Sequence, residues 1–171
     1  MMQYLFLFLA VIVSLVLQST YLEGLKVMGM KPDLVMLLVI FYAIGNGPRK
    51  GAIFGLIAGL VQDLFAAKFL GLHAIMKLVI GLFSGTLEKR VYKENVFVPA
   101  FLSIFVTYFQ EASYIVMRQL AGFLNRPDAN IPFLEAVSIL AVYNFFLAIL
   151  GYAFYYKLTT KKIFPRHERR Y

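Results

Sequence analysis

Long apolar runs alternate with short polar segments along the chain. The runs cover residues 4–22, 34–47, 51–66, 70–87, 96–117 and 134–156. A helix of about 20 apolar residues is about 30 Å long, which matches the hydrocarbon thickness of a bilayer. The pattern therefore predicts an all-α, polytopic membrane protein with six transmembrane helices in a single domain, residues 1–171.

The second and third runs are short for full membrane spans. Gly45, Asn46, Gly47 and Pro48 separate them, and such residues favour a tight turn. The two runs are therefore predicted to form a helical hairpin. Pro32 and Asp33 mark the start of the second helix, because proline suits a first turn and an acidic side chain complements the positive helix end.

Composition supports a lipid environment for most of the chain. Hydrophobic residues make up 61% and charged residues 15%, whereas a soluble domain is about half apolar and about a quarter charged. The chain has no cysteine, which excludes disulfides, iron–sulfur clusters and thiolate-bound zinc. Its two histidines, His73 and His167, are far apart, so no cofactor or metal is expected.

The basic residues that give the net charge of +8 lie between and after the apolar runs. This placement indicates a role in membrane orientation and argues against nucleic-acid binding. With the N-terminus inside, eleven basic residues fall in inner segments and five in outer segments. The inner set is Arg49, Lys50, Lys89, Arg90, Lys93, Lys157, Lys161, Lys162, Arg166, Arg169 and Arg170; the outer set is Lys26, Lys31, Lys68, Arg118 and Arg126. This bias predicts that both termini, including a basic tail at residues 157–171, are cytoplasmic.

Glycines recur every four residues from Gly47 to Gly59. On a helix this spacing gives a smooth face that another helix backbone can approach closely. The face packs either within the chain or against a partner protein, and the pattern leaves both interpretations open. The residues predicted to form such surfaces are Gly51, Gly55, Gly59, Gly81 and Gly85, with a weaker pair at Ala10 and Ser14.

Polar side chains inside apolar helices are costly and therefore informative. The predicted topology places six of them in the outer half of helices three to five: Gln62, Asp63, His73, Lys77, Gln110 and Glu111. Lys77 and Glu111 have opposite charges at similar depth, so they are predicted to pair or to share an outward-facing polar cavity. The alternatives are that both groups reach interfacial water, or that the cluster has only a structural role.

No catalytic motif accompanies this cluster. The sequence has no H-E-x-x-H motif and no phosphate-binding loop, and no Ser/His/Asp set is evident. These observations favour a protein that is not an enzyme.

Residues 32–73 resemble the rod shape-determining protein MreD family. Pro32-Asp33-Leu34 opens a short apolar helix, Gly47 precedes a basic pair, and the glycine series ends in Gly59-Leu60-Val61-Gln62-Asp63. Leu70-Gly71-Leu72-His73 follows. The family-motif positions are thus Pro32, Asp33, Gly47, Asp63 and Gly71, and from residue 96 onward the chain matches only in hydropathy.

The resemblance implies a non-enzymatic scaffold in the inner membrane of rod-shaped bacteria, which helps to control cell shape and peptidoglycan synthesis. It also implies that MreC is a direct partner, that MreB, RodA and the transpeptidase of RodA share the assembly, and that oligomers could form through MreC. The family is similar in architecture to the substrate-binding S-components of energy-coupling-factor transporters. The alternative function is therefore that of a vitamin-binding S-component.

Overall fold

A computed structural model describes residues 2–20, 24, 31–66, 71–89, 95–120 and 133–160. These residues form six α-helices and no strand, which confirms the all-α prediction. The helices are α1 (Met2–Thr20), α2 (Leu34–Asn46), α3 (Pro48–Ala66), α4 (Leu72–Thr86), α5 (Phe97–Leu120) and α6 (Phe133–Thr160). A 3₁₀ turn, Leu87–Lys89, follows α4. The predicted tail beyond residue 160 and the outer segments at 25–30 and 121–132 lie outside the described residues.

The second helix is the centre of the bundle. Helix α2 contacts each of the other five helices, and nine of its 13 residues are buried. Its sequence, LVMLLVIFYAIGN, is apolar on every side, as expected for a helix surrounded by other helices. The ring of Phe41 contacts Tyr152 of α6 with centroids 5.3 Å apart, and Tyr42 contacts Phe54 of α3 at 4.6 Å.

Helices α3 and α4 form the closest helix pair in the bundle, and their glycines account for this. A Cβ atom added at Gly51 would overlap the Gly81 backbone, and one at Gly55 would overlap the Lys77 carbonyl. Gly59 likewise faces the backbone of His73 and Ala74. The two helix backbones therefore touch over about two turns, which side chains larger than hydrogen would prevent.

Helices α5 and α6 pair with each other beside this group. Helix α1 packs through one stripe: Leu7, Val11, Leu15 and Gln18 are buried, at the three- and four-residue spacing of a helix face.

Five of the six helices carry large exposed apolar side chains, and α2 is the exception. Phe8 and Leu9 of α1, Leu64 of α3, Phe101 of α5 and Leu150 of α6 are examples. By length and composition one described helix, Leu134–Leu158, can cross a membrane, and it falls on the predicted sixth span. Shorter apolar helices occupy Leu5–Thr20, Leu34–Asn46 and Leu72–Thr86.

Candidate functional site: a buried ion pair among four helices

Asp33 caps the first turn of α2. Its backbone is extended, and its carboxylate oxygen Oδ1 accepts a hydrogen bond of 2.9 Å from the backbone N–H of Met36. A side-chain oxygen at this position satisfies one of the free N–H groups that begin every helix. Asp33 is buried, and Pro32 before it is fully buried, so the chain enters α2 from inside the protein.

Lys77 of α4 supplies the opposite charge. Its ammonium Nζ lies 2.7 Å from Asp33 Oδ2, and the side chain is fully buried. Taking two charges out of water costs several kcal/mol per ion, which close pairing and additional hydrogen bonds offset. This ion pair therefore joins α4 to the start of α2 inside the bundle.

Two glutamines complete the site from other helices. Gln110 of α5 donates from Nε2 to Asp33 Oδ2 at 3.2 Å. The Gln18 amide of α1 fits best with its oxygen toward α2, where it accepts from the backbone N–H groups of Leu34 and Val35. The opposite orientation gives only a donor contact of 3.4 Å to Asp33 Oδ1 and leaves those two N–H groups without the amide oxygen.

The predicted Lys77–Glu111 pair is wrong, because Asp33 is the partner of Lys77. Adjacent residues on a helix point about 100° apart, so Gln110 and Glu111 cannot both face the same neighbour. Gln110 points inward and Glu111 is only half-buried. Sequence reasoning placed Asp33 at the start of the second helix and among the family-motif positions, but did not include it in the polar cluster. The missed signal was the length of α2, since 13 residues span only about 20 Å and leave Asp33 at the depth of the other polar groups.

Asp63 and His73 form a second polar arrangement at the start of α4. The Asp63 carboxylate accepts from the backbone N–H groups of Gly71 (2.9 Å), His73 (3.1 Å) and Ala74 (3.1 Å). It also lies 2.7 Å from His73 Nδ1. The last turn of α3 thus supplies the cap for α4, whose own N-cap residue, Gly71, has no side chain to do so.

The structure therefore divides the six predicted cluster residues. Lys77 and Gln110 meet at Asp33, whereas Asp63 and His73 meet at the start of α4. Gln62 is half-buried, and its Oε1 has no hydrogen-bond partner among the described residues.

The remaining motif glycines lie at turns. Gly47 has φ +89° and ψ 173°, a conformation that only glycine adopts readily, and a Cβ there would touch the Glu88 carboxylate. Gly71 has φ +96° and open space around it. All five family-motif positions therefore lie at or beside a helix end, where they control how the chain turns or caps.

The packing surface predicted at Ala10 and Ser14 of α1 stays a prediction. Ser14 is buried, but its hydroxyl donates to the Ala10 carbonyl of the same helix at 2.8 Å.

Sequence reasoning also missed a polar contact between α5 and α6, where Asn144 Nδ2 donates to Thr107 Oγ1 at 2.9 Å. Its signal was the spacing of Ser103, Thr107 and Gln110, which places three polar groups on one face of α5.

Chemically, the site holds helices together. Asp33 receives hydrogen bonds from α2, α4 and α5, so one carboxylate connects three helices. Within the described residues no group of three or more His, Cys, Asp or Glu side chains is placed to hold a metal ion.

Comparison with known proteins gives a family. The family model described as rod shape-determining protein MreD matches residues 1–162. No curated protein and no solved structure gives a significant match. The match includes the whole region that carries Asp33, Lys77 and Gln110, and it extends through the second half of the chain. Because nearly the entire sequence is covered, the chain belongs to the rod shape-determining protein MreD family.

Proposed function

We propose that this protein is a non-enzymatic, multi-pass scaffold of the bacterial cell-elongation machinery, located in the cytoplasmic membrane, and that it binds MreC. The family match over residues 1–162 is the observation that carries this proposal, because the family determines rod shape and is membrane-associated. MreB, RodA and its transpeptidase are proposed as members of the same assembly.

The surface of the bundle supports the multi-pass arrangement. Large apolar side chains are exposed on α1, α3, α4, α5 and α6, which together surround α2. In water such a surface would be a strong aggregation hazard, whereas in lipid it is the expected exterior. The short helices α2 and α4 are stabilised by their neighbours inside this bundle.

The arrangement of the turns supports cytoplasmic termini. Gly47 faces Glu88 and Gly85 faces Pro48, so the α2–α3 turn and the 3₁₀ turn after α4 lie at the same end of the bundle. Arg49, Lys50 and Lys89 belong to that end. Short loops rich in lysine and arginine lie preferentially on the cytoplasmic side of a membrane, so we assign this end of the bundle to the cytoplasm.

The glycine face of α3 is occupied within the chain and is therefore not available to MreC. Gly51, Gly55 and Gly59 contact the backbone of α4 directly, so a bulky residue at Gly55 would disturb this protein before it disturbed a complex. We place the MreC contact among the exposed apolar faces of the other helices.

Single-cysteine cross-linking tests this, because the chain has no native cysteine. Leu9→Cys, Phe101→Cys and Leu150→Cys sample the exposed faces of α1, α5 and α6. Each is paired with single cysteines along the transmembrane span of MreC in living cells, and a membrane-permeant thiol oxidant is added to accept the two electrons released on disulfide formation. One exposed position is expected to form a disulfide-linked heterodimer, while the buried control Val39→Cys forms none. Absence of a heterodimer across scans of all exposed faces contradicts direct binding.

Depletion separates the scaffold from the S-component alternative. Loss of the protein is expected to convert rods into spheres, with normal growth on minimal medium relative to rich medium. A vitamin requirement with normal rod shape would contradict the scaffold function.

A further inference from the structure

The ammonium group of Lys77 has more donors than the described residues satisfy. It carries three N–H donors, and among the described residues it donates only to Asp33 Oδ2. The side chain has a relative exposure of 0%, so bulk solvent does not reach the other two donors. A buried donor without a partner costs about 1–3 kcal/mol, and more when it is charged.

The Gln110 side chain has an acceptor for which the described residues supply no donor. Its Nε2 donates to Asp33 Oδ2, but its amide oxygen Oε1 has no partner in the described chain, and the residue is 5% exposed. Lys77 Nζ and Gln110 Nε2 share one acceptor at 2.7 and 3.2 Å, so these two nitrogens lie within about 6 Å of each other, and Oε1 belongs to the same amide group as Nε2. A water molecule that accepts from one group and donates to another bridges atoms about 4.5–5 Å apart.

A second acceptor belongs to Asn144 of α6, which contacts α5 one turn from Gln110. Asn144 is 1% exposed and donates to Thr107, but its Oδ1 has no partner among the described residues. Thr107 precedes Gln110 by three positions on the same buried face of α5, a rise of about 4.5 Å. Two amide oxygens for which the described residues supply no donor, and an ammonium with spare donors, therefore belong to one connected group of buried side chains.

We propose that this part of the bundle binds internal water, held between Lys77 Nζ, Gln110 Oε1 and the Asn144–Thr107 pair. The occupant must accept from an ammonium and donate to amide oxygens, and water does both. Asp33 and Lys77 neutralise each other, so the site has no net charge that would attract a metal cation or an anion. The water also solvates the buried charge pair. This inference rests on the membrane location given in the proposed function, but not on binding to MreC.

Water-edited solid-state NMR of the ¹³C,¹⁵N-labelled full chain in phosphatidylethanolamine–phosphatidylglycerol vesicles tests the proposal. The Lys77 Nζ signal is assigned by its loss in Lys77→Met. Magnetisation from water is expected to reach Lys77 Nζ several-fold faster than the amide of Val39, which is fully buried in apolar surroundings. Transfer to Lys77 as slow as transfer to Val39 would overturn the proposal.

Two controls make the result specific. Gln110→Leu removes one acceptor at similar volume and is expected to slow transfer to Lys77, whereas Phe105→Leu on the exposed face of α5 leaves it unchanged. Replacing sodium chloride with choline chloride is expected to leave the Gln110 side-chain signals in place. A shift on removing sodium would identify a bound cation and would also overturn the proposal.

Discussion

Lys77 and Asp33 are 44 positions apart in the sequence, yet their side chains meet at 2.7 Å at the start of the central helix. The two partners are not equivalent. Lys77 contributes only its charge and donors, whereas Asp33 also caps α2 through Met36 and accepts from Gln110. Changes at the two positions should therefore have different consequences, even though they remove the same ion pair.

Lys77→Met is expected to lower the free energy of unfolding by about 3–5 kcal/mol, because it leaves the Asp33 carboxylate buried without its counter-charge. The double variant Asp33→Asn/Lys77→Met should recover much of this loss, since asparagine is a good N-cap and no charge remains. Unfolding in mixed dodecyl maltoside–SDS micelles, followed by circular dichroism, measures both. A double variant no more stable than Lys77→Met would contradict the assigned pair.

Exchanging the two charges between positions 33 and 77 should restore little of the lost stability. Asp33→Lys/Lys77→Asp restores opposite charges, but it places a cation at the positive end of α2 and removes the cap that Asp33 provides to Met36. We expect the reversed pair to be less stable than the neutral double variant in the same unfolding assay. Stability equal to that of the unaltered protein would show that the cap contributes little.

Gly55→Ala is expected to destabilise the protein by about 1–3 kcal/mol, because the added methyl would overlap the Lys77 carbonyl and push α3 from α4. Gly45→Ala is the matched control on α2. Its nearest neighbour would be the Tyr155 hydroxyl at 3.9 Å, so alanine should be neutral or stabilise by up to about 1 kcal/mol. Equal effects at the two positions would contradict the close α3–α4 contact.

The two glycines with positive φ should differ in tolerance. Alanine at position 47 would be strained by the positive φ and would also overlap the Glu88 carboxylate. Alanine at position 71 would be strained by the positive φ alone, because its Cβ would have no neighbour within 4 Å. Loss of stability is expected to be larger at Gly47, and Gly71→Asn should be milder than Gly71→Ala because asparagine tolerates the left-handed region. Melting temperatures of the purified variants give the order, and a reversed order contradicts it.

Asp63→Ala should loosen the first turn of α4, because three backbone N–H groups lose their acceptor. Hydrogen–deuterium exchange is expected to accelerate at Gly71, His73 and Ala74. The neighbouring change Gln62→Ala is the control, since Gln62 Oε1 has no protein partner in the described chain. Unchanged exchange in Asp63→Ala would mean that α4 does not depend on this cap.

The helices were predictable because apolar run length and glycine spacing are local signals. The turn at Gly47–Pro48 and the cap at Asp33 were also local, and the structure places both as helix ends. The Asp33–Lys77 pair was not predictable in the same way, because it depends on how deep a short helix lies beside two longer neighbours. Similarly, the sequence placed Asp63 and His73 at one depth, but only three-dimensional packing shows that Asp63 caps α4.

The contact between Gly55 and the Lys77 carbonyl links the two main features of this bundle. The carbonyl that contacts Gly55 belongs to Lys77, and the side chain of the same residue reaches Asp33. A slip of one residue between α3 and α4 would move Lys77 by about 1.5 Å and turn it by about 100°. The glycine contacts between α3 and α4 therefore fix the position of the Lys77 ammonium relative to Asp33. Mutational tolerance at Gly55 and at Asp33 should consequently be coupled, although the two residues lie on different helices.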